Sequence, residues 1–302
     1  MKKYKDIISI IENEIDSVDR NIIDYINDIF LPKELSIFLL KKSKKIRSSF
    51  AILFIKAKYG KISDKQLKIL ALTEMIHNAS LIHDDIIDEA KTRRNEPAIN
   101  ILFGNNSAVI IGDYILSLVL KKLINFENTK LTNLFINSLY EICKGEFEQD
   151  LNKSKFPTIE EYIKKSERKT SELFKIAILG ALITENQSDD FDLAENFAEN
   201  FGIMFQIKND LIDFLEKKSD NCGKNDAENG IFTAPLIYLN ENNISIDVKN
   251  NSKQCSNAVK KTEDLIHYYG RKTLDLISSF PDNIYKNALI NLCMEVQKGK
   301  ND

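Results

Sequence analysis

"SDKQLKILALTEMIHNASLIHDDIIDEA", residues 63–90, opens on a capping signature and closes on acid. Ser63 and Gln66 stand three apart, so each can satisfy the other's backbone donor. The apolar residues that follow at three- and four-residue intervals predict a single helix reaching about residue 90. Asp84 and Asp88 then share one face of that helix near its C-terminal end, with Asp85 beside them. Like charges at that spacing repel by a few tenths of a kcal/mol. The cluster therefore reads either as a solvated helix end or as a divalent-metal site.

The same periodicity dominates the chain. Only 10 glycines and 5 prolines occur in 302 residues. A stripe from Ile8 to Phe30 predicts a helix ending before Pro32, and a second is expected over much of 33–58, ending where Gly60 suits a C-terminal cap. Further helical patterns recur at 107–125, 130–150, 158–184, 191–216, 232–241, 252–279 and 282–298, with Thr158 and Glu161 forming a second capping pair. No alternating run bounded by hairpin signals stands out, so little or no sheet is expected. The economical reading is an all-α bundle of about ten or more helices. No repeat or low-complexity tract divides it, and 1–302 reads as one domain. The longest turn-rich connection, "EKKSDNCGKNDAENG" at 216–230, has the length and polarity of a lid or of a surface excursion.

Composition narrows the function. A hydrophobic fraction of 43% suffices for a substantial core, and a net charge of -3 gives no basic field for nucleic acid or an anionic membrane. Bound anions must be held by local cations. Cys143, Cys222, Cys255 and Cys293 lie far apart without zinc-ligand spacing and read as reduced thiols of a cytoplasmic protein. The basic N-terminus lacks a continuous apolar core, and no later run approaches the ~18 apolar residues of a membrane span.

Charge constellations supply the chemistry. In "FQIKNDLIDF" Asn209, Asp210 and Asp213 repeat the acidic spacing on a second helix. Oxygen ligands at helical spacing suit Mg²⁺, which keeps waters that phosphate oxygens can replace. "KKSKKIR" places Lys44, Lys45 and Arg47 within an early helix, and Arg93 and Arg94 follow the first acidic cluster. Arginine presents a planar fork of donors matched to phosphate oxygens. His77, two turns before Asp84, lies on roughly the same face, whereas His83 reads as packed and His267 as a surface residue.

These residues resemble the trans-isoprenyl diphosphate synthases, the polyprenyl synthetase family. "LIHDDIIDEAKTRR" resembles the family's first aspartate-rich motif with its arginine pair, and "FQIKNDLID" resembles the second. "IIGDYIL", "GEFEQ" and "RKTSELF" resemble intermediate blocks in the expected order, over about residues 30–240. The resemblance implies one all-α domain around a deep apolar pocket, usually a homodimer. It also implies a reaction: an allylic diphosphate such as farnesyl diphosphate, held through two or three Mg²⁺ ions, ionises, and isopentenyl diphosphate attacks the cation. By that resemblance Asp84, Asp85, Asp88, Asn209, Asp210 and Asp213 serve the metals, with Asp84 and Asp88 the leading direct ligands. Arg93, Lys169, Thr170 and Gln206 serve the allylic diphosphate, and Asp213 acts through water or a hydrogen bond to Lys169. Lys44, Arg47, His77 and Arg94 hold isopentenyl diphosphate, while Gln149 and Glu146 line the mouth.

Three departures stand out. Lys42 and Ser43 replace the glycines that precede the basic block, Asn209 replaces the aspartate that opens the second motif, and Ile231 stands where short-chain members carry a lysine. Ala79 and Ser80, just before the first motif, are small where short-chain bacterial members place an aromatic. An open tunnel and a product longer than farnesyl follow as expectations, in the heptaprenyl to decaprenyl range. Two rival readings are a class I terpene cyclase, disfavoured by Asp213 and Lys217 in the second motif, and a non-catalytic subunit of a heteromeric synthase, encouraged only by Asn209.

Overall fold

The computed structural model describes residues 2–27, 32–40, 44–94, 96–151, 156–216, 232–240 and 252–298. The expected lid at 216–230 lies, beyond its first residue, outside the described residues, as do Lys42, Ser43 and Ile231. Packing groups the chain into two units, one built from 8–136 with 176–188 and the other from 1–7, 137–175 and 189–302.

In the first unit the elements run α1 (Lys2–Ile8, whose last residue alone belongs here), a 3₁₀ turn at Ser9–Ile11, α2 (Glu12–Asn27), α3 (Lys33–Leu40), α4 (Ile46–Tyr59) and α5 (Asp64–Ile87). After a two-residue hairpin come α6 (Ile99–Phe103), α7 (Asn105–Ile124) and the start of α8 (Thr129–Leu151). The stripe expected as one helix from Ile8 is thus broken by the 3₁₀ turn. Helix α5 is buried on most of its surface, and from Leu67 to Ile82 only Lys68, His77, Ser80 and Leu81 are not buried. Such a helix is stable only when enclosed by others, and α2, α4 and α7 pack on it. Its N-terminus carries the expected capping box, Gln66 N–H to Ser63 Oγ at 3.2 Å and Ser63 N–H to Gln66 Oε1 at 2.9 Å. Helix α7 comes close at Gly112, where an added Cβ would stand 2.1 Å from His83 Nε2.

The end of α5 shapes the chain that follows. Glu89 adopts a left-handed φ of 50°, and Ala90 N–H reaches back to Asp85 O at 2.8 Å. This is the bonding of a Schellman end, with glutamate at the position glycine usually takes. A hairpin pairing Thr92 with Pro97 and Arg93 with Glu96 returns the chain. Asn100 closes the excursion by donating to Asp85 O at 3.3 Å and Ala90 O at 3.2 Å.

The second helix differs from expectation. Instead of running through 33–58 it is interrupted, so Lys44 and Lys45 precede α4 and Arg47 stands in its first turn. The cause is backbone conformation: Lys45 is left-handed at φ 45°, which a helix interior does not accept. Its buried ammonium pairs with Asp19 at 3.0 Å.

In the second unit α8 ends, α9 (Ile159–Ser166) opens on the capping box of Thr158 and Glu161, and α10 (Glu172–Thr184) begins. Between α9 and α10, Glu167–Ser171 forms a π-helical turn inside the pattern expected as one helix. The long α11 (Phe191–Glu216) packs against that turn and against α9, α12 (Ala234–Asn240), α13 (Ser252–Ile277) and α14 (Ile284–Gln297). Phe174 meets Phe201 and Phe205 edge-on at centroid distances of 5.1 and 5.7 Å. Gly202 lies so close to the π turn that an added Cβ would stand 2.6 Å from Ser171 Cα.

Candidate active site

The first unit gathers anions and cations around the end of α5. Asp84 is half-buried and Asp88, the C-cap, is exposed, so both carboxylates are accessible to ligands. Asp85 is different. It is fully buried, and its Oδ1 accepts Nε of Arg93 at 2.8 Å and a second, shorter contact from the same guanidinium. Its Oδ2 is buried without a hydrogen-bond partner. The Schellman end and hairpin carry Arg93 back onto this carboxylate, so Asp85 here holds an arginine and does not point outward with its neighbours.

One turn and more before these acids lies a cationic cluster. Arg47 and Arg94 lie near Glu74, a buried carboxylate that raises the basicity of both, and His77 lies near the two arginines. Burial works the other way and dominates, bringing Arg47 down to about 10, with Arg94 pushing in the same direction. His77 is held well below its usual range, first by burial and then by Arg47, Arg94, Lys45 and Arg93. It is therefore a neutral imidazole, and its Nδ1 is buried with no hydrogen-bond partner. Two confined guanidinia beside a neutral donor suit a dianionic or trianionic phosphate ligand. Lys44 is exposed just before α4. Ala79 is fully buried, and Ser80 spends its hydroxyl on His77 O at 2.9 Å.

The second unit holds a linear relay. Thr170 Oγ1 donates to Gln206 Oε1 at 2.7 Å, Gln206 Nε2 to Asp210 Oδ1 at 2.8 Å, and the Tyr162 hydroxyl to Asp210 Oδ2 at 2.6 Å. Burial nonetheless lifts Asp210 to about 6, against the opposing pull of Tyr162, Lys165 and Gln206 and with help from Asp213. The same burial, reinforced by Asp210, raises the Tyr162 hydroxyl well above the phenol range. The π turn presents Thr170 to this relay while Lys169 Nζ pairs with Glu146 at 2.6 Å. Gln149 Oε1 is buried without a partner. It lines a cleft of about 410 Å³ with Glu148, Tyr162, Lys165 and Arg168 among its walls. Asn209 is half-buried and Asp213 exposed on α11.

Among the described residues no three His, Cys, Asp or Glu side chains converge on a point. The donors fit Mg²⁺ all the same. That ion is usually held by one or two carboxylates and completed by water and substrate phosphate oxygens, and Asp84, Asp88, Asp210 and Asp213 are hard oxygen donors of this kind.

Reading the sequence alone misses Glu74 and Tyr162. Glu74 stands three before His77 and Tyr162 four after the capping Thr158, and each reads as an ordinary member of an amphipathic pattern. Only a charged residue on an otherwise fully apolar face, as Glu74 is, offered a signal.

The family model described as polyprenyl synthetase matches residues 31–269. The chain is 28% identical over 326 residues to the decaprenyl-diphosphate synthase of Dictyostelium discoideum, covering 96% of this chain and 71% of that protein. The heptaprenyl diphosphate synthase of Staphylococcus aureus superposes with a TM-score of 0.81 at 25% identity, over 95% of this chain and 97% of that one. A polyprenyl synthase of Caulobacter crescentus, complexed with calcium and isoprenyl diphosphate, shares the fold at a TM-score of 0.82 and 21% identity, over 97% of each chain. No helix among the described residues is long and apolar enough to cross a membrane. With its family model spanning most of the sequence and its fold shared with solved synthases, the chain is a prenyltransferase and belongs to the polyprenyl synthetase family.

Proposed function

We propose that this chain condenses isopentenyl diphosphate with an allylic diphosphate such as farnesyl diphosphate, extending an all-trans product beyond farnesyl. The observation that carries the reading is the half-buried trio Arg47, His77 and Arg94. It offers an anion site of its own beside the acidic group of Asp84 and Asp88, which suits a reaction of two diphosphates. A cyclase, which ionises one diphosphate, has no use for that second site.

Bound Mg²⁺, as two or three ions, would supply charge neutralisation on the departing diphosphate. Asp84, Asp88, Asn209, Asp210 and Asp213 are its donors in this reading. Arg93, oriented by Asp85, and Lys169, Thr170 and Gln206 bind the allylic diphosphate. Their donors stabilise the charge that gathers on it as the allylic C–O bond breaks. Arg47, Arg94, His77 and Lys44 hold isopentenyl diphosphate so that its double bond forms the new C–C bond, after which a proton leaves. Gln149 and Glu146 line the mouth. The small side chains of Ala79 and Ser80 leave room for a growing chain, and the decaprenyl and heptaprenyl names of two relatives support a long product.

A homodimer fits one exposed face, where Ile101 (55% exposed), Leu102 (47%), Val109 (43%), Ile110 (67%) and Tyr114 (42%) crowd α6 and α7. Incubating purified protein with Mg²⁺, farnesyl diphosphate and labelled isopentenyl diphosphate should yield elongated prenyl diphosphates whose length chromatography reads. No incorporation with any allylic primer, alone or with a partner subunit, overturns the proposal.

A further inference from the structure

Helix α4 begins in an unusual way. Its N-cap, Lys45, is left-handed and offers no side-chain acceptor, so the amides of the first turn must find partners elsewhere. The partner comes from 26 residues away. Glu74 Oε1, buried at 2% exposure on α5, accepts the Ser48 hydroxyl at 2.7 Å and the Ser48 N–H at 3.3 Å. Ser48 follows Arg47 directly, and both belong to the first turn of α4. A carboxylate at a helix N-terminus is favoured by the helix dipole and by the orphan donors, and here it is supplied by a different helix. Glu74 is also the opposite charge that offsets the crowding of Arg47 and Arg94. Neither arginine stands on rigid backbone by itself: Arg47 sits at a frayable helix start and Arg94 in a hairpin turn at φ 53°.

We propose that Glu74 is the positioning residue of the isopentenyl diphosphate subsite, capping α4 through Ser48 so that Arg47 is held in register with Arg94 before the diphosphate arrives. The inference rests on the assignment of Arg47, His77 and Arg94 to that substrate and adds the residue that holds their geometry. Glu74 touches no substrate in this scheme. It acts through the backbone that carries Arg47.

The test is equilibrium binding by titration calorimetry on the full chain, with isopentenyl diphosphate as one probe and farnesyl diphosphate with Mg²⁺ as the other. Glu74→Ala should weaken isopentenyl diphosphate at least tenfold while the farnesyl diphosphate Kd stays within twofold. Glu74→Gln keeps an oxygen that can accept from Ser48 and should recover binding to within about threefold of the unaltered protein. Arg47→Ala serves as the reference for the subsite. If Arg47→Ala weakens isopentenyl diphosphate and Glu74→Ala does not, the positioning role is overturned and the subsite stands. If Arg47→Ala changes nothing, both fall. Equal weakening of both probes by Glu74→Ala, or no recovery with Glu74→Gln, marks a general structural role and also overturns the proposal.

Discussion

Replacing Asp85 with asparagine separates two roles that the motif leaves mixed. The carboxylate is fully buried, and its Oδ1 receives both contacts from Arg93, whose side chain is 29% exposed. Asparagine keeps the shape and one acceptor oxygen but removes the charge. The guanidinium keeps its charge, so each bond to the amide oxygen loses only part of the about 1.5–3 kcal/mol of a charge-assisted bond, roughly 2 kcal/mol for the pair. Relief from desolvating a carboxylate offsets part of this, and the new amide hydrogens find no partner where Oδ2 has none now. Arg93 can also turn towards water, which limits the loss further. The net cost is about 2 kcal/mol. At about 2 °C per kcal/mol for a chain of this size, the melting temperature in scanning calorimetry should fall by about 4 °C. The Mg²⁺ concentration for half-maximal rate should stay within twofold, while the KM for farnesyl diphosphate rises because Arg93 loses its anchor. An unchanged melting temperature together with a severalfold higher Mg²⁺ requirement would instead make Asp85 a metal ligand.

Three further outcomes follow from the geometry. Asn209→Asp restores a charged oxygen donor at the opening of the second acidic group and should lower the half-maximal Mg²⁺ concentration; an equal or higher requirement would remove Asn209 from the ligand set. Gly202→Ala places a Cβ 2.6 Å from the Ser171 backbone, where no side-chain rotation relieves it. It should destabilise by about 3 kcal/mol and weaken farnesyl diphosphate binding as Thr170 is displaced from Gln206, both measurable by calorimetry. His77 titrates well below its usual range when folded, so its contribution to stability is complete above the unfolded value near 6.5 and is lost as pH falls below it. The melting temperature should therefore drop further between pH 7.5 and 5.5 in the unaltered protein than in His77→Gln, by the equivalent of about 1.4 kcal/mol. Identical profiles would place His77 in solvent.

Local signals carried the sequence reading where structure is locally determined. Both capping boxes, the span of α5 and the spacing of its aspartates all follow from neighbours three and four residues apart, and the structure has them. Long-range causes were hidden. The break between α3 and α4 falls in a lysine-rich run with good helix propensity and neither glycine nor proline. It is held by a left-handed Lys45 that pairs with Asp19 and by Glu74 on another helix. The π turn leaves the apolar pattern of 158–184 readable as one helix, because a single extra residue only rotates the stripe. The motif around Asp84 marks carboxylates without saying which face outward. Asp85 is buried against Arg93, which a left-handed Glu89 and the hairpin bring back to it, and Glu89 takes a place that glycine or asparagine usually fills.

The π turn has one more consequence. Glu167–Ser171 contains one residue more than an α-helical path would need, and that surplus sets the rotation at which Thr170 meets Gln206. Deleting a residue here would join α9 and α10 in one regular helix and turn α10 by about 100° against α9. Thr170 and Lys169 would leave the face that meets Gln206 and Glu146, and the buried side chains of α10 would be turned out of their packing with them. The surplus residue therefore sets the phase of the core and the reach of the site together.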